Sequence, residues 1–339
     1  MNYDVIGIGN ALVDIQTKLT EEELNKLNYP KGGMTLSSPT EQGEILEALE
    51  AYTHSPTICS GGSAANTIHG IGALNGRAYY IGRVANDGYG RHYTQDMADC
   101  GVGFPGPGAE DSGTGTSLVL ITPDAQRTMV TDLGISTALH SDNVDETIVA
   151  GAKFVYIEGY LWTGEDTKKA AMKLARTARK AGVPVAFTLS DAFIVDNFKK
   201  DLLDFIKWDV DILFCNEVEG LALAEEEDAG KAFDTVAAMC EYLFFTRGQE
   251  GAWACHRGGE RLTVKGYQVD AVDTTGAGDL FAAGVLTGMI HKKPLKECVI
   301  LGNYCAGQVV THLGARMPAH SHTNINKIIS DYPHKEGEA

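Results

Sequence analysis

Asp273-Thr274-Thr275-Gly276-Ala277-Gly278-Asp279, running on into Leu280-Phe281-Ala282-Ala283-Gly284-Val285, decides how this 339-residue chain is read. Ahead of it, Tyr267-Gln268-Val269-Asp270-Ala271-Val272 alternates polar and apolar residues, which predicts a strand. Behind it, small and apolar residues continue without proline, which predicts a buried helix. The backbone N–H groups of Gly276, Ala277 and Gly278 then sit at a helix start with no partner inside the helix. Such a start is an anion site, through the free N–H groups and the helix dipole. An acid in the first turn repels a bound phosphate, so Asp279 is out of place in a site that only holds one. It fits if Asp279 takes a proton from a hydroxyl that attacks the phosphate. That points to phosphoryl transfer. The plain alternative is a helix-capping acid behind a tight glycine turn.

Outward from that segment, short apolar runs alternate with helical stretches. Val5 to Gly9, Phe154 to Ile157, Val183 to Phe187, Ile212 to Cys215 and Tyr242 to Thr246 predict strands, and Thr167 to Ala181 is the clearest helix. This is the pattern of βαβ units: an α/β fold with a mostly parallel sheet covered on both faces. Ligands in such sheets sit beyond the carboxyl ends of the strands. Residues from about 12 to 40 and from about 101 to 132 break the rhythm with strand-like alternation and turn signals. They predict a small accessory sheet built from separate insertions. Residues 1–320 thus form one unit, and the polar stretch 321–339 is expected to be a loosely held tail.

Composition narrows the partners. A net charge of −17 offers no basic stripe for nucleic acid. No apolar run reaches the roughly 18 residues that cross a membrane. Met1-Asn2-Tyr3-Asp4 lacks the basic start of a signal peptide. Seven cysteines without a Cys-x-x-Cys pair read as core residues of a reducing cytoplasm. Gly7-Ile8-Gly9-Asn10-Ala11-Leu12 fails the dinucleotide fingerprint because Leu12 replaces its third glycine, and no P-loop sequence is present. His320 and His322, close neighbours in a polar stretch, read as solvated rather than metal-bound.

The segment around Asp279 resembles the C-terminal signature of the PfkB family of ribokinase-like carbohydrate and nucleoside kinases. Other landmarks of that family stand upstream in the same order. They are Gly9-Asn10 with Asp14, Gly61-Gly62-Ser63-Ala64-Ala65-Asn66, Gly82 to Gly90 (with Ala85 where glycine is usual), and Asn216-Glu217-Val218-Glu219. The resemblance implies a ribokinase-like fold whose small β-sheet is a lid that closes over the acceptor and excludes water. It makes Asp279 the catalytic base and the backbone of Gly276, Ala277 and Gly278 the anion hole. Asp14 would accept two sugar hydroxyls, as a carboxylate can, with Asn10, Gly61, Gly62 and Asn66 around it. Arg127, in a lid strand, would reach the transferred phosphate. Asn216 and Glu219 would position Mg2+ and the phosphates of ATP, Glu219 through water. Thr246, Gly248 and Asn303 would line the nucleotide site. Asp273 and Thr275, with the Gly314-Ala315-Arg316 loop, match a place where relatives hold a potassium-type ion. Three plain alternatives stand beside these roles: a solvated loop acid for Asp14, a surface helix residue for Glu219, and an exposed strand residue for Arg127.

Within the family, Gly9 to Asp14, Tyr156 to Leu161 and Leu189 to Phe193 resemble the adenosine kinases. That puts Tyr160 and Phe193 at strand ends facing the acceptor, where flat rings suit a purine; core aromatics are the rival reading. The expected activity is ATP-dependent phosphorylation of a primary hydroxyl, adenosine to AMP. The alternatives are a kinase for a free sugar (ribose, fructose or ketodeoxygluconate) and a non-catalytic ligand-binding member of the fold. A cytoplasmic location is expected, and monomer and homodimer both remain open.

Overall fold

The computed structural model describes residues 2–50, 56–108, 112–124, 126–318 and 324–332. Thirteen strands lie among them, numbered along the chain. They are β1 (Val5–Ile8), β2 (Leu12–Lys18), β3 (Met34–Leu36), β4 (Thr57–Gly61), β5 (Ala78–Ile81), β6 (Thr114–Ile121), β7 (Arg127–Gly134), β8 (Phe154–Glu158), β9 (Val185–Thr188), β10 (Ile212–Asn216), β11 (Tyr242–Thr246), β12 (Ala252–His256) and β13 (Leu262–Val264).

Eight strands form the main sheet in the order β13-β12-β11-β10-β9-β8-β1-β5. The pairs from β5 through β11 are parallel, and only the edge pairs β11–β12 and β12–β13 are antiparallel. Continuous burial explains the apolar runs, because both faces are covered by helices. Helices Ser63–Ala73, Ala277–Ile290 and Leu295–Val309 pack on one face. Helices Glu165–Lys180, Ala192–Asp209, Glu217–Ala224 and Ala229–Ala237 pack on the other. The α/β architecture expected from the sequence is the one observed.

A second, smaller sheet has the order β3-β7-β6-β2-β4. Ile15, Leu118, Leu120 and Val130 on one of its faces meet Leu24, Ile45 and Leu49 of two short helices. The opposite face carries Asp14, Ser117 and Thr131 in register across β2, β6 and β7. Residues Thr57–Gly61 add the edge strand β4, so this sheet draws on three separate stretches of chain.

Two local expectations differ from the structure. Tyr267 to Val272 forms no strand. Its alternation is matched by helices instead of a sheet: Tyr267 packs on Tyr304 and Tyr332, and the Val272 N–H donates to the Val310 carbonyl at 2.7 Å. Within the polar C-terminal stretch, Ile325–Asp331 forms a helix, with Ile328 and Tyr332 buried. Residues 319–323 and 333–339 lie outside the described residues. No helix among the described residues is long and apolar enough to cross a membrane.

Candidate active site

The carboxyl ends of the parallel strands form one rim, and the cavities open on it. Asn10 follows β1, Glu158 ends β8, Ser190 follows β9, Asn216 ends β10 and Thr246 ends β11. One cavity is walled by Asn10, Asp14, Gly62, Asn66, Arg127 and Tyr160, and by Leu12, Met34, Leu36, Met129 and Leu133 of the smaller sheet. A second is lined by Thr246, Gly248, Thr274, Gly278 and Asn303. A third joins them and is lined by Arg127, Asn216, Glu219, Gly276, Ala277, Gly278 and Asp279. Asp279 borders the first and third cavities, which places it where the first opens into the joining one.

Asp279 lies in the first turn of Ala277–Ile290, yet it does not cap that helix; Gly276 is the N-cap and no side chain bonds there. Its carboxylate is held from another helix, Ser63–Ala73. Ser63 Oγ donates to Oδ1 at 2.7 Å and Asn66 Nδ2 donates to Oδ2 at 2.9 Å. Thr67 Oγ1 donates to the Asp279 carbonyl at 3.0 Å. Burial raises the pKa of Asp279, while those two hydrogen bonds and the charges of Arg127 and Arg316 oppose the rise. A carboxylate tuned upward in this way is a better proton acceptor near neutral pH.

Gly276 has φ +77° and an added Cβ would lie 2.7 Å from the Ala315 carbonyl oxygen, so only glycine fits. Gly62 is similar: φ is +92° and a Cβ would lie 2.2 Å from the Asn10 carbonyl oxygen. Of the three backbone groups expected to hold an anion, the Ala277 N–H is turned to the Thr274 carbonyl at 3.3 Å.

Three more carboxylates converge on the rim. Asp14 on β2 is buried, and loss of water pushes its pKa up to about 7 against the pull of Arg316 and Arg127. Glu158 is fully buried and also sits at about 7, raised by burial. Its Oε1 accepts the Asn10 N–H and its Oε2 the Ala64 N–H, both at 2.7 Å, so it ties the end of β1 to the start of Ser63–Ala73. Glu219 is raised by burial to about 7 as well. Asn216 orients it, with Nδ2 donating to Oε1 at 2.7 Å, the backbone N–H to Oε2 at 3.0 Å, and Oδ1 accepting the Glu219 N–H in return.

Asp273 is fully buried behind the glycine loop. Its Oδ1 accepts the Thr275 N–H at 2.9 Å and the Thr275 hydroxyl at 2.5 Å, and its Oδ2 accepts the Gly314 N–H at 3.1 Å. Among the described residues it forms no ion pair within 4.0 Å. No group of three or more His, Cys, Asp or Glu side chains among the described residues is placed to hold a metal ion.

Some expected residues fall elsewhere. Phe193, 36% exposed, lines none of the three cavities; its N–H donates to Asp191 as the helix Ala192–Asp209 begins. Tyr160 does line that cavity, with its hydroxyl 3.3 Å from Asp191 Oδ2. Gly61 stands behind Asp14 instead of in the wall. Asn303 lines the second cavity, but its Nδ2 donates to the Lys265 carbonyl at 3.0 Å. His320 and His322 lie outside the described residues. Ser63, Thr67, Glu158 and Arg316 hold the site together; the first three carried no assigned role from sequence, and Arg316 was expected only as part of the loop beside a monovalent cation. Ser63 and Thr67 flank Asn66 on one helix, and Glu158 is an acid ending an apolar strand. Those two signals were available.

Residues 36–322 match the family described as pfkB family carbohydrate kinase. The chain is 38% identical to the solved adenosine kinase of Sinorhizobium meliloti, covering 95% of this chain and 98% of that one, with a TM-score of 0.90. It is 36% identical to a solved probable sugar kinase of Rhizobium etli, with the same coverage and a TM-score of 0.89. Among curated proteins it is 26% identical to an adenosine kinase of Saccharomyces cerevisiae, over 94% of this chain and 98% of the relative. On its motifs, its fold and these likenesses, the chain belongs to the pfkB family of carbohydrate kinases and is a phosphotransferase acting on a hydroxyl group.

Proposed function

We propose that this protein transfers the γ-phosphoryl group of ATP to the primary hydroxyl of adenosine. The observation that carries the reading is Asp279, held on both oxygens by Ser63 and Asn66 where the acceptor cavity meets the cavity that joins it to the nucleotide side. Leu12, Met34, Leu36, Met129 and Leu133, with the ring of Tyr160, give the acceptor cavity an apolar wall that suits a flat base. The polar end, with Asn10, Asp14, Gly62 and Asn66, suits ribose hydroxyls. The adenosine kinases of S. meliloti and S. cerevisiae support the same acceptor.

In this reading Asp14 and Asn66 orient the ribose, and Asp279 accepts the proton of the attacking hydroxyl. The new O–P bond forms as the bond from the γ-phosphorus to the bridging oxygen breaks, and ADP leaves. Positioning and electrostatics dominate such transfers. The backbone at Gly276 to Gly278 faces the phosphates, and Arg127, which lines both the acceptor and joining cavities, adds a cation to the transferred group. A magnesium ion, held by the phosphates and through water by Glu219, would neutralise developing charge; one oriented carboxylate without a metal cage fits that arrangement. Asp273 and Thr275 would hold a monovalent cation, because a buried carboxylate served only by N–H and hydroxyl donors still lacks a counter-charge.

The smaller sheet, with insertions at about 12–40 and 101–132, acts as the lid of a kinase unit spanning residues 1–320. We place the enzyme in the cytoplasm, where its seven unbridged cysteines stay reduced. ATP consumption with Mg2+ and K+ across adenosine, other nucleosides, ribose, fructose and ketodeoxygluconate tests the reading. Turnover confined to free sugars would retire the nucleoside assignment and favour the likeness to the R. etli protein.

A further inference from the structure

Behind Asp279 lies a polar layer that the reaction above does not use. Arg316 follows the helix Leu295–Val309 and its side chain is 9% exposed. Its Nε donates to Asn66 Oδ1 at 3.2 Å, and its Nη2 donates to the Gly61 carbonyl at 3.2 Å. Its Nη1 pairs with the Asp96 carboxylate, and its guanidinium lies over the Tyr93 ring, 5.0 Å from the centroid. His69, 3.7 Å from Asp96, is kept neutral by burial, which lowers its pKa to about 3. Arg316 is therefore the cation that Asp96 has.

A side-chain amide has one accepting end and one donating end. With Asn66 Oδ1 taken by Arg316, only Nδ2 is left for Asp279. The reversed amide would set Oδ1 against a carboxylate and NH2 against a guanidinium, both unfavourable. We propose that Arg316 is a positioning residue, which locks the Asn66 amide with Nδ2 toward Asp279. This rests on Asp279 being the base. The bond from Asn66 lowers the pKa of Asp279, so a loosened amide weakens that control. The other charged or titratable groups facing Asp279 are Arg127, Asp14, Glu158, Glu219, Tyr156 and Tyr160, and none of them hydrogen-bonds to the Asn66 side chain.

Arg316→Lys keeps the charge beside Asp96 but replaces a planar fork with one ammonium, which cannot serve three acceptors together. Its kcat with adenosine should fall about 10- to 100-fold, the scale of a small misplacement at a reacting centre. Arg316→Met with Asp96→Leu removes the buried guanidinium together with its half-buried partner and should show the same loss if Arg316→Lys folds poorly. In an Asn66→Ala background, Arg316→Lys should cost less than about twofold more, because both changes remove one interaction. Additive losses would overturn the proposal. A second readout needs no turnover. The Asn66 side-chain amide signal, assigned by its loss in Asn66→Ala, should shift and exchange faster with water in Arg316→Lys. An unchanged signal would also overturn the proposal. If the wild-type protein phosphorylates no acceptor, the functional reading falls and the amide signal alone decides the role of Arg316.

Discussion

Ser63 Oγ lies 2.7 Å from Asp279 Oδ1, although 216 residues separate the two in sequence. A hydroxyl donating to a carboxylate stabilises the charged form, so Ser63 lowers the pKa that burial raises. Ser63→Ala should move the acidic limb of kcat/KM to higher pH. A pH–rate profile identical to wild type would show that this bond does not tune the base.

Asp279→Asn retains the shape of the side chain and removes the proton acceptor. A positioned general base contributes about 10²- to 10⁴-fold, so kcat should fall by that order. Adenosine affinity, measured calorimetrically, should change only severalfold, because the acceptor is held mainly by Asp14 and its neighbours. Loss of binding together with turnover would mean that Asp279 holds the acceptor instead of activating it.

Gly61 and Gly278 make opposite cases of the same substitution. A Cβ on Gly61 would lie 2.3 Å from Asp14 Oδ1, whereas one on Gly278 meets nothing within 4 Å. Gly61→Ala must displace the Asp14 carboxylate, at a cost of about 1–3 kcal/mol in stability. It should also raise the KM for the acceptor. Gly278→Ala should leave the thermal midpoint unchanged. Equal midpoints for the two variants would contradict the packing behind Asp14.

Buried acids give the ligand-free protein an unusual pH profile. Asp14, Glu158 and Glu219 all sit at about 7 when folded, against 3.8 or 4.5 in a free chain. Between those values the folded state binds more protons than the unfolded one, so stability falls as pH rises. His69 opposes this below pH 6.5 because burial holds it neutral when folded, one group against three. The net expectation is a higher melting temperature at pH 6 than at pH 8, with a stability difference of roughly 3 kcal/mol. Glu158→Gln should flatten the slope. A wild-type melting temperature that rises steadily from pH 6 to pH 8 would refute the assignment.

Asp273 gives an ion-dependence test. Replacing K+ by choline at fixed ionic strength should lower kcat severalfold, and Asp273→Asn should make activity insensitive to the choice of monovalent ion. Identical rates in the two salts would remove the cation from this site.

Much of the scaffold could be read in advance because parallel strands buried on both faces leave unbroken apolar runs. Tyr267 to Val272 misled for a related reason: alternation reports one buried face, and helix edges can cover that face as well as a strand can. The glycine loop and Asp279 were legible because their chemistry is local, set by residues adjacent in sequence. Phe193 lines none of the cavities because it falls in the first turn of a helix past the strand end, a placement that an aromatic near an apolar run does not reveal. Arg316 carries no local signal; its part depends on meeting Asn66, Asp96 and Gly61, which lie more than 200 residues upstream.

That distance has a consequence during synthesis. Arg316 Nη2 closes on the Gly61 carbonyl across 255 residues. At about 5–20 residues per second, a ribosome needs roughly 10–50 s between making the two. Throughout that interval the segment carrying Asp14 and Gly61 exists without the groups that clamp it, with its apolar wall open to chaperones and proteases. Chains cut short before Arg316 should bind no acceptor and be cleared, so acceptor binding waits until synthesis has passed Arg316.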